Sequence, residues 1–241
     1  MEHFSPRRAV VTGAMSGIGR AAAELVLASG GRVLGVDRSE GGWEAPGFTA
    51  RVADITDPIA VGAVFDEAHE VLDGAPDAVI HCAGVYRHQS ILDLAPDEWD
   101  QIMRINSTGS FLVSQAAARV MPPGGSIVLL SSVAYGRGDA VEPCSAYSAS
   151  KGAVVSLMQQ LAVELGGRGI RVNAVTPGVI DTPMTTIVHD REATESLIAG
   201  LPGRRLGTAE DVATACVFLA GGASTYITGV VLPVDGGYLI S

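Results

Sequence analysis

The sequence predicts an α/β fold: a doubly wound, parallel, seven-stranded sheet with helices on both faces, in one domain over residues 1–241. Three observations predict it. Short apolar runs of buried-strand type alternate with longer segments of helical period along the whole chain. The first run breaks into a glycine turn that opens an alanine-rich helix. Several later runs end in small or polar residues, at the place where an open parallel sheet sets its ligand crevice.

The first strand is Ala9-Val10-Val11-Thr12, and Gly13-Ala14-Met15-Ser16-Gly17-Ile18-Gly19 follows it before a helix over 20–29. Gly13 takes the tight turn, Gly17 lets the backbone approach a pyrophosphate, and Gly19 lets the helix pack closely on the strand. The helix N-terminus then faces the phosphate. The G-x3-G-x-G spacing differs from the usual dinucleotide fingerprint, so by itself it is also compatible with a plain tight turn. The second strand, 32–36, ends in Asp37, whose carboxylate can accept hydrogen bonds from an adenosine ribose. That favours NAD. NADP would set a 2′-phosphate against the same carboxylate, with Arg38 alone to offset the repulsion.

Residues 39–49 show no helical period, so the first crossover is expected to lack a full helix. Strand 50–53 leads through Asp54-Ile55-Thr56 to helix 57–72, with Thr56 or Asp57 as its cap. The fourth strand, 78–82, ends at Ala83-Gly84, small enough to admit a cofactor. His81 and Cys82 are neighbours in that strand and point to opposite faces, which argues against a joint metal site and leaves His81 as a core or supporting residue. Helix 97–121 opens at Pro96 and Asp97 and carries Asn106 among apolar neighbours, where a buried amide needs partners.

Strand 126–130 ends in Ser131-Ser132 without the G-x-S-x-G elbow of a hydrolase nucleophile. After helix 147–165, strand 170–175 runs into Thr176-Pro177-Gly178. The polar segment 182–205, with apolar clusters at Ile187-Val188 and Leu197-Ile198, reads as a lid over a ligand. Helix 208–220 and strand 230–234 complete the seven strands.

Composition narrows the partners. A hydrophobic content of 47% supports a sizeable core, and 16 basic against 26 acidic residues give a net charge of -10, which repels nucleic acid and anionic membranes. Cys82, Cys144 and Cys216 are odd in number and lack C-x-x-C spacing, so neither a disulfide framework nor a metal site is expected, and a reducing cytoplasm fits. No apolar run is long enough to span a membrane or to act as a secretory h-region.

Tyr147-Ser148-Ala149-Ser150-Lys151 carries the chemistry. Tyrosine and lysine four residues apart share a helix face. Using a phenol as a base near neutral pH means lowering its pKa of about 10 by about three units, or roughly 4 kcal/mol. One ammonium at about 4 Å supplies roughly that at an effective dielectric of about 20.

With Thr12-Gly-x3-Gly-Ile-Gly19, Asn106, Ser132, Tyr147-x3-Lys151 and Pro177-Gly178 in this order, the chain resembles the short-chain dehydrogenase/reductase family from about Arg8 to Tyr238. The resemblance implies a Rossmann-type core and an NAD-dependent oxidoreductase acting on a small-molecule secondary alcohol or ketone. Tyr147 would be the general acid/base, Lys151 would lower its pKa and bind the nicotinamide ribose, Ser132 would hydrogen-bond the substrate oxygen, and Asn106 would position a relay water. Cofactor contacts would extend over Gly13, Ser16, Gly17, Ile18, Gly19, Asp37, Asp54, Ile55, Ala83, Gly84, Pro177, Gly178, Ile180 and Thr182, besides Tyr147 and Lys151. Relatives are commonly homotetramers or dimers.

The sequence also departs from the family. Its usual Asn-Asn-Ala-Gly stands here as His81-Cys82-Ala83-Gly84, and the Ser132-to-Tyr147 loop is longer than usual. That loop, with Tyr135, Arg137, Glu142 and Cys144, is expected to line the substrate pocket, where Arg87 or Arg137 is a candidate partner for a substrate carboxylate. An NADP-dependent ketoreductase using Arg38, or a dinucleotide-sensing protein without chemistry, are the rival readings.

Overall fold

Runs of Val, Ile, Leu and Ala with no polar interruption give strands that are buried on both faces. In the computed structural model, which describes residues 6–138, 142–185 and 190–241, those runs form one parallel sheet. Its strands are β1 Arg8–Thr12, β2 Arg32–Asp37, β3 Phe48–Val52, β4 Ala78–His81, β5 Ser126–Leu130, β6 Arg171–Pro177 and β9 Val231–Val234. They lie in the order β3-β2-β1-β4-β5-β6-β9. The expected sheet is therefore present, with seven strands. Two short strands, β7 Ile180–Asp181 and β8 Gly207–Thr208, pair apart from it.

Alternate residues of each strand feed two cores. Val10, Leu34, Val79, Ile127 and Val172 pack on one face against α2 (Pro58–Val71), α4 (Gly109–Val120) and α5 (Ser145–Gly166). Ala9, Val11, Ile80, Val128 and Val175 pack on the other, against α1 (Gly17–Ala28) and α7 (Ala209–Ala220). The chain order reverses between β1 and β4, so their carboxyl ends open a crevice.

Local chemistry sets the helix ends. Asp57, not Thr56, caps α2 by accepting from the Ile59 N–H at 2.8 Å, with Pro58 at the first helical position. Thr208 and Asp211 cap α7 reciprocally, and Arg205 pairs with Asp211 at 2.6 Å. The far end of α7 is closed by Arg171, a buried guanidinium that donates to the carbonyls of Leu219 at 2.8 Å and Gly221 at 3.0 Å. Burial lowers its pKa, and helix-end carbonyls stand where a carboxylate partner would be expected.

One expectation fails in detail. The segment 97–121 is not a continuous helix: α3 (Pro96–Met103) passes through a π-helical turn, Arg104–Thr108, before α4. The wider turn carries Asn106, and such turns gather at functional sites. Of the 182–205 segment, the described part contains α6 (Arg191–Gly200), which buries none of its residues fully; Ile187-Val188 lies outside the described residues.

The β2–β3 crossover has no helix, as its composition predicts. An aromatic cover stands in its place. Trp43 stacks on Phe48 with centroids 4.1 Å apart, and its indole N–H donates to the Ala14 carbonyl at 3.1 Å, inside the glycine turn. Arg20 lies 5.3 Å above the Trp43 ring. At the far edge of the sheet, β9 contains Pro233, opposite Thr176 of β6.

If the aromatic cover replaces the missing helix, Trp43→Ala lowers the unfolding free energy by about 2 kcal/mol, the scale of a half-buried aromatic and its stack. Trp43→Phe recovers part of it. Urea melts measure both, and an unchanged midpoint for the alanine variant would remove Trp43 from that role.

Candidate active site

The crevice begins where β1 ends. Gly13 has φ +67°, and a Cβ there would lie 3.0 Å from the Ala83 backbone nitrogen, so glycine is required on both counts. A Cβ on Gly19 would stand 2.2 Å from the Gly13 carbonyl oxygen, which is how closely α1 approaches β1. Ser16 is the N-cap of α1 but spends no side-chain hydrogen bond on the cap, which leaves its hydroxyl beside the helix N-terminus. Asp37, at the end of β2, accepts from the Met15 N–H at 3.2 Å and from Ser39, so its carboxylate is held against the same turn. These residues fit a dinucleotide: a cradle that any side chain would fill, a helix N-terminus for the pyrophosphate and an acceptor for a ribose.

A polar knot joins β1 to β4 beneath the turn. The Thr12 hydroxyl accepts from the Ala83 N–H at 3.1 Å and shares a hydrogen bond with His81 Nδ1 at 2.7 Å. Burial, assisted by the charge of Lys151, drives the His81 pKa down to about 3, so this imidazole is neutral. Its Nε2 has no partner among the described residues. His81 is thus a core residue, one of the two alternatives expected. Burial pushes the Cys82 thiol up to about 12, which removes it as a nucleophile. No cluster of metal-binding side chains occurs among the described residues.

Asn106 closes the crevice from the helical side. Its Oδ1 accepts from the Val85 N–H at 2.9 Å, and its Nδ2 donates to the Val85 carbonyl at 3.0 Å and to Ser150 Oγ at 2.9 Å. Gly84 lies between it and Lys151, where a Cβ would crowd Asn106 Oδ1 at 3.1 Å and touch Lys151 Nζ at 3.5 Å.

Ser132, Tyr147 and Lys151 meet where β5 ends against α5. Ser132 Oγ accepts from the Ala134 N–H at 3.2 Å, and its hydroxyl hydrogen-bonds the Tyr147 phenol. Buried Lys151 donates from Nζ to the Leu130 carbonyl at 2.9 Å, and Ser131 ties down the Lys151 carbonyl at 2.8 Å. The electrostatics correct the pairing estimate. Burial pushes the Tyr147 pKa up to about 12, more than the Ser132 hydrogen bond pulls it down. Lys151 is itself lowered to about 8 by burial, with its nitrogen 5.6 Å from the centre of the Tyr147 ring. The ammonium is turned to the Leu130 carbonyl and does not depress the phenol.

The other expected positions sort by what their side chains touch. Thr182 approaches the glycine turn, with its Cγ2 3.7 Å from where a Gly17 Cβ would be, and its hydroxyl faces Thr185 at 3.2 Å. Gly178 is forced by contact with Asp235, whose Cα would lie 2.8 Å from an added Cβ; Pro177 is the buried last residue of β6. Asp54 is exposed, and hydrogen bonds from Thr56 lower its pKa, helped by Arg104 and Arg38. Ile55 and Ile180 are buried in the two cores and Ile18 packs against one of them, so their backbones rather than their side chains are left to face a ligand. Arg87 and Arg137 are exposed. Arg87 donates to the Tyr86 carbonyl at 3.3 Å, while Arg137 donates to the Tyr238 carbonyl and stacks 4.4 Å from its ring.

Sequence reasoning missed Tyr86. Its ring meets Tyr147 edge-on with centroids 5.0 Å apart, and its hydroxyl donates to Glu142 at 3.1 Å. Only its place two residues beyond Gly84 hinted at this.

Comparison with known proteins agrees with this geometry. The family described as enoyl-(acyl carrier protein) reductase matches residues 13–239. The chain is 38% identical to a (3R)-3-hydroxyacyl-CoA dehydrogenase of Canis lupus familiaris, over 95% of each protein. It is equally 38% identical to a galactitol 2-dehydrogenase (L-tagatose-forming) of Cereibacter sphaeroides, over 96% of this chain and 94% of that one. A solved short-chain glucose/ribitol dehydrogenase from Brucella melitensis superposes over all of both chains with a TM-score of 0.92 at 31% identity. The chain belongs to the short-chain dehydrogenase/reductase family, and it is an oxidoreductase of that class with a Rossmann-type core. Among the described residues no helix is long and apolar enough to cross a membrane.

Proposed function

We propose that the protein is an NAD-dependent dehydrogenase of a small secondary alcohol, or the corresponding ketone reductase, with Tyr147 as its general acid/base. The observation that carries this reading is the convergence of Ser132, Tyr147 and Lys151 at one strand end, with Asn106 and Gly84 completing the wall. The nicotinamide, when bound, supplies or accepts the hydride. The rest falls to the chain's own side chains. Ser132 Oγ donates to the substrate oxygen and stabilises charge developing there, a contact whose loss costs about 3 kcal/mol in comparable sites. In oxidation Tyr147 Oη takes the alcohol proton, and in reduction it returns one. Lys151 holds a positive charge beside the phenol, and Asn106 fixes the helix that carries both. The segment 182–205, with Thr182 at its base beside Gly17, would close over the substrate.

Asp37 supports NAD over NADP. Its carboxylate is already engaged by the Met15 N–H, and Arg38 acts on Asp54, which leaves a 2′-phosphate facing negative charge.

We further infer a homo-oligomer. Phe111, Val163 and Phe218 expose 43%, 78% and 41% of their surfaces on α4, α5 and α7. Sedimentation velocity should show a dimer or tetramer; a monomer at micromolar concentration would refute this.

Tyr147→Phe should reduce turnover by about 10³-fold while NADH binding, followed by tryptophan fluorescence, stays the same. Near-full activity would remove the tyrosine from the role. The sign of the pH dependence follows from a phenol that burial holds at about 12. Oxidation needs the deprotonated form, so kcat/KM for an alcohol rises from pH 7 to 10, while that for ketone reduction, which uses the protonated form, stays flat over the same range. Asp37→Ser should cut kcat/KM with NAD by about 10-fold, the worth of a charge-assisted hydrogen bond, and raise it with NADP. An unchanged cofactor ratio would refute the assignment of Asp37.

A further inference from the structure

The last residues of the chain are folded back onto the crevice. After β9 the Asp235 carboxylate accepts the Gly237 N–H with one oxygen and the Leu239 N–H with the other, both at 2.9 Å, so Tyr238–Ile240 form a tight helical turn. Three segments are fastened to this turn or to the residues that open it. The first leaves β6: the Gly178 N–H donates to the Val234 carbonyl at 3.0 Å, and Gly178 is pressed on the Asp235 backbone. The second is the foot of α6, where the Gly203 N–H donates to the Gly236 carbonyl at 2.8 Å and a Cβ on Gly237 would lie 2.7 Å from Pro202. The third carries Ser132.

Arg137 makes that third connection. Its guanidinium donates to the Tyr238 carbonyl and lies 4.4 Å from the centre of the Tyr238 ring, so one side chain grips the C-terminal turn by a hydrogen bond and by a cation–π contact. Between Arg137 and Ser132 the backbone is one closed turn. The Arg137 N–H donates to the Val133 carbonyl at 3.2 Å, the Tyr135 N–H donates to the Ser132 carbonyl at 3.1 Å, and Ser132 Oγ accepts from the Ala134 N–H at 3.2 Å. Where Arg137 is held, Ser132 is held.

We propose that the C-terminal turn is a positioning element of the active site and that Arg137 is its latch: together they hold the Ser132 turn in register with the end of β6 and the foot of α6. The functional part of this rests on the dehydrogenase reading. A hydrogen-bond donor is effective only where it meets the charge that develops on the substrate oxygen, and a misplacement of about 1 Å can cost about 10²-fold in rate. Arg137 is thereby a positioning residue that acts through Ser132 and has no part in binding a substrate carboxylate.

The test uses 2-butanol and 3-hydroxybutyrate with NAD. Arg137→Ala should lower kcat for both by about 10-fold while KM and NADH binding stay within about 2-fold, because Ser132 acts on the transition state more than on the bound alcohol. The urea midpoint should not move, since Arg137 is exposed. Arg137→Lys keeps the charge and a donor and should recover kcat to within about 3-fold of the wild type. Combined with Tyr238→Ala, Arg137→Ala should lose less than the product of the two single losses, as expected of residues in contact. Independently of turnover, hydrogen exchange in Arg137→Ala should quicken at the Ala134 and Tyr135 amides and at Leu239 together. An unchanged kcat, losses that multiply in the double variant, or faster exchange at Ala134 and Tyr135 with none at Leu239 overturns the latch. So does a loss confined to 3-hydroxybutyrate, which would make Arg137 a ligand of the substrate carboxylate. If the wild type turns over no secondary alcohol with either dinucleotide, the dehydrogenase reading falls, and the exchange result alone decides whether the latch exists.

Discussion

A single buried carboxamide holds this crevice in shape. Asn106 sits where a helix widens into a π-turn, and its side chain makes three hydrogen bonds to two other parts of the chain: the backbone of Val85 beyond β4 and the hydroxyl of Ser150 on α5. A buried amide with unmet hydrogen bonds would be costly, so the three elements can relax only together. Ser107 and Ser131 repeat the device, binding the carbonyls of Ser150 and Lys151 at 3.2 and 2.8 Å. The first turns of α5, which carry Tyr147 and Lys151, are thus fastened by side chains to backbone at several points. Apolar packing positions a helix less sharply than this.

The same burial decides the electrical state of the pair. Desolvation disfavours charge on both partners, raising the phenol and lowering the amine. The site therefore holds a neutral phenol and a lysine that loses its proton near pH 8, without two uncompensated ions in the interior. His81 belongs to the same economy: kept neutral and fixed by Thr12, it adds polarity at the strand end with no additional positive charge beside Lys151.

Much of the fold was legible because strand alternation and glycine positions are local signals. Seven strands, the helix-free crossover and the ends of α2, α5 and α7 lie within a few residues of where sequence patterns set them. The π-turn was not legible, since no proline or glycine stands within Arg104–Thr108 to mark it; the hydrogen bond that Asn106 Oδ1 accepts from the Val85 N–H, which accompanies the turn, joins residues 21 apart. The residues Ser132, Tyr147 and Lys151 converge as their spacing implied, but the size and direction of the tyrosine shift depended on burial, which sequence distance does not encode. Trp43 looked like loop and turned out to seal one face of the sheet, because the stack with Phe48 joins positions on opposite sides of a turn. The Tyr86–Glu142 contact spans 56 residues, and neither residue stands in a recognisable pattern.

Pro233 bears on how copies of the chain can meet. In the last strand the carbonyls of Val230 and Val234 accept from β6, so even-numbered positions face inward and Pro233 takes an outward one. An incoming strand laid along that border would find no N–H to pair with at the middle of a four-residue edge. Growth of the sheet across that border is therefore interrupted by a missing hydrogen atom, and a contact made on the β9 side of the molecule falls to side chains instead of main-chain pairing.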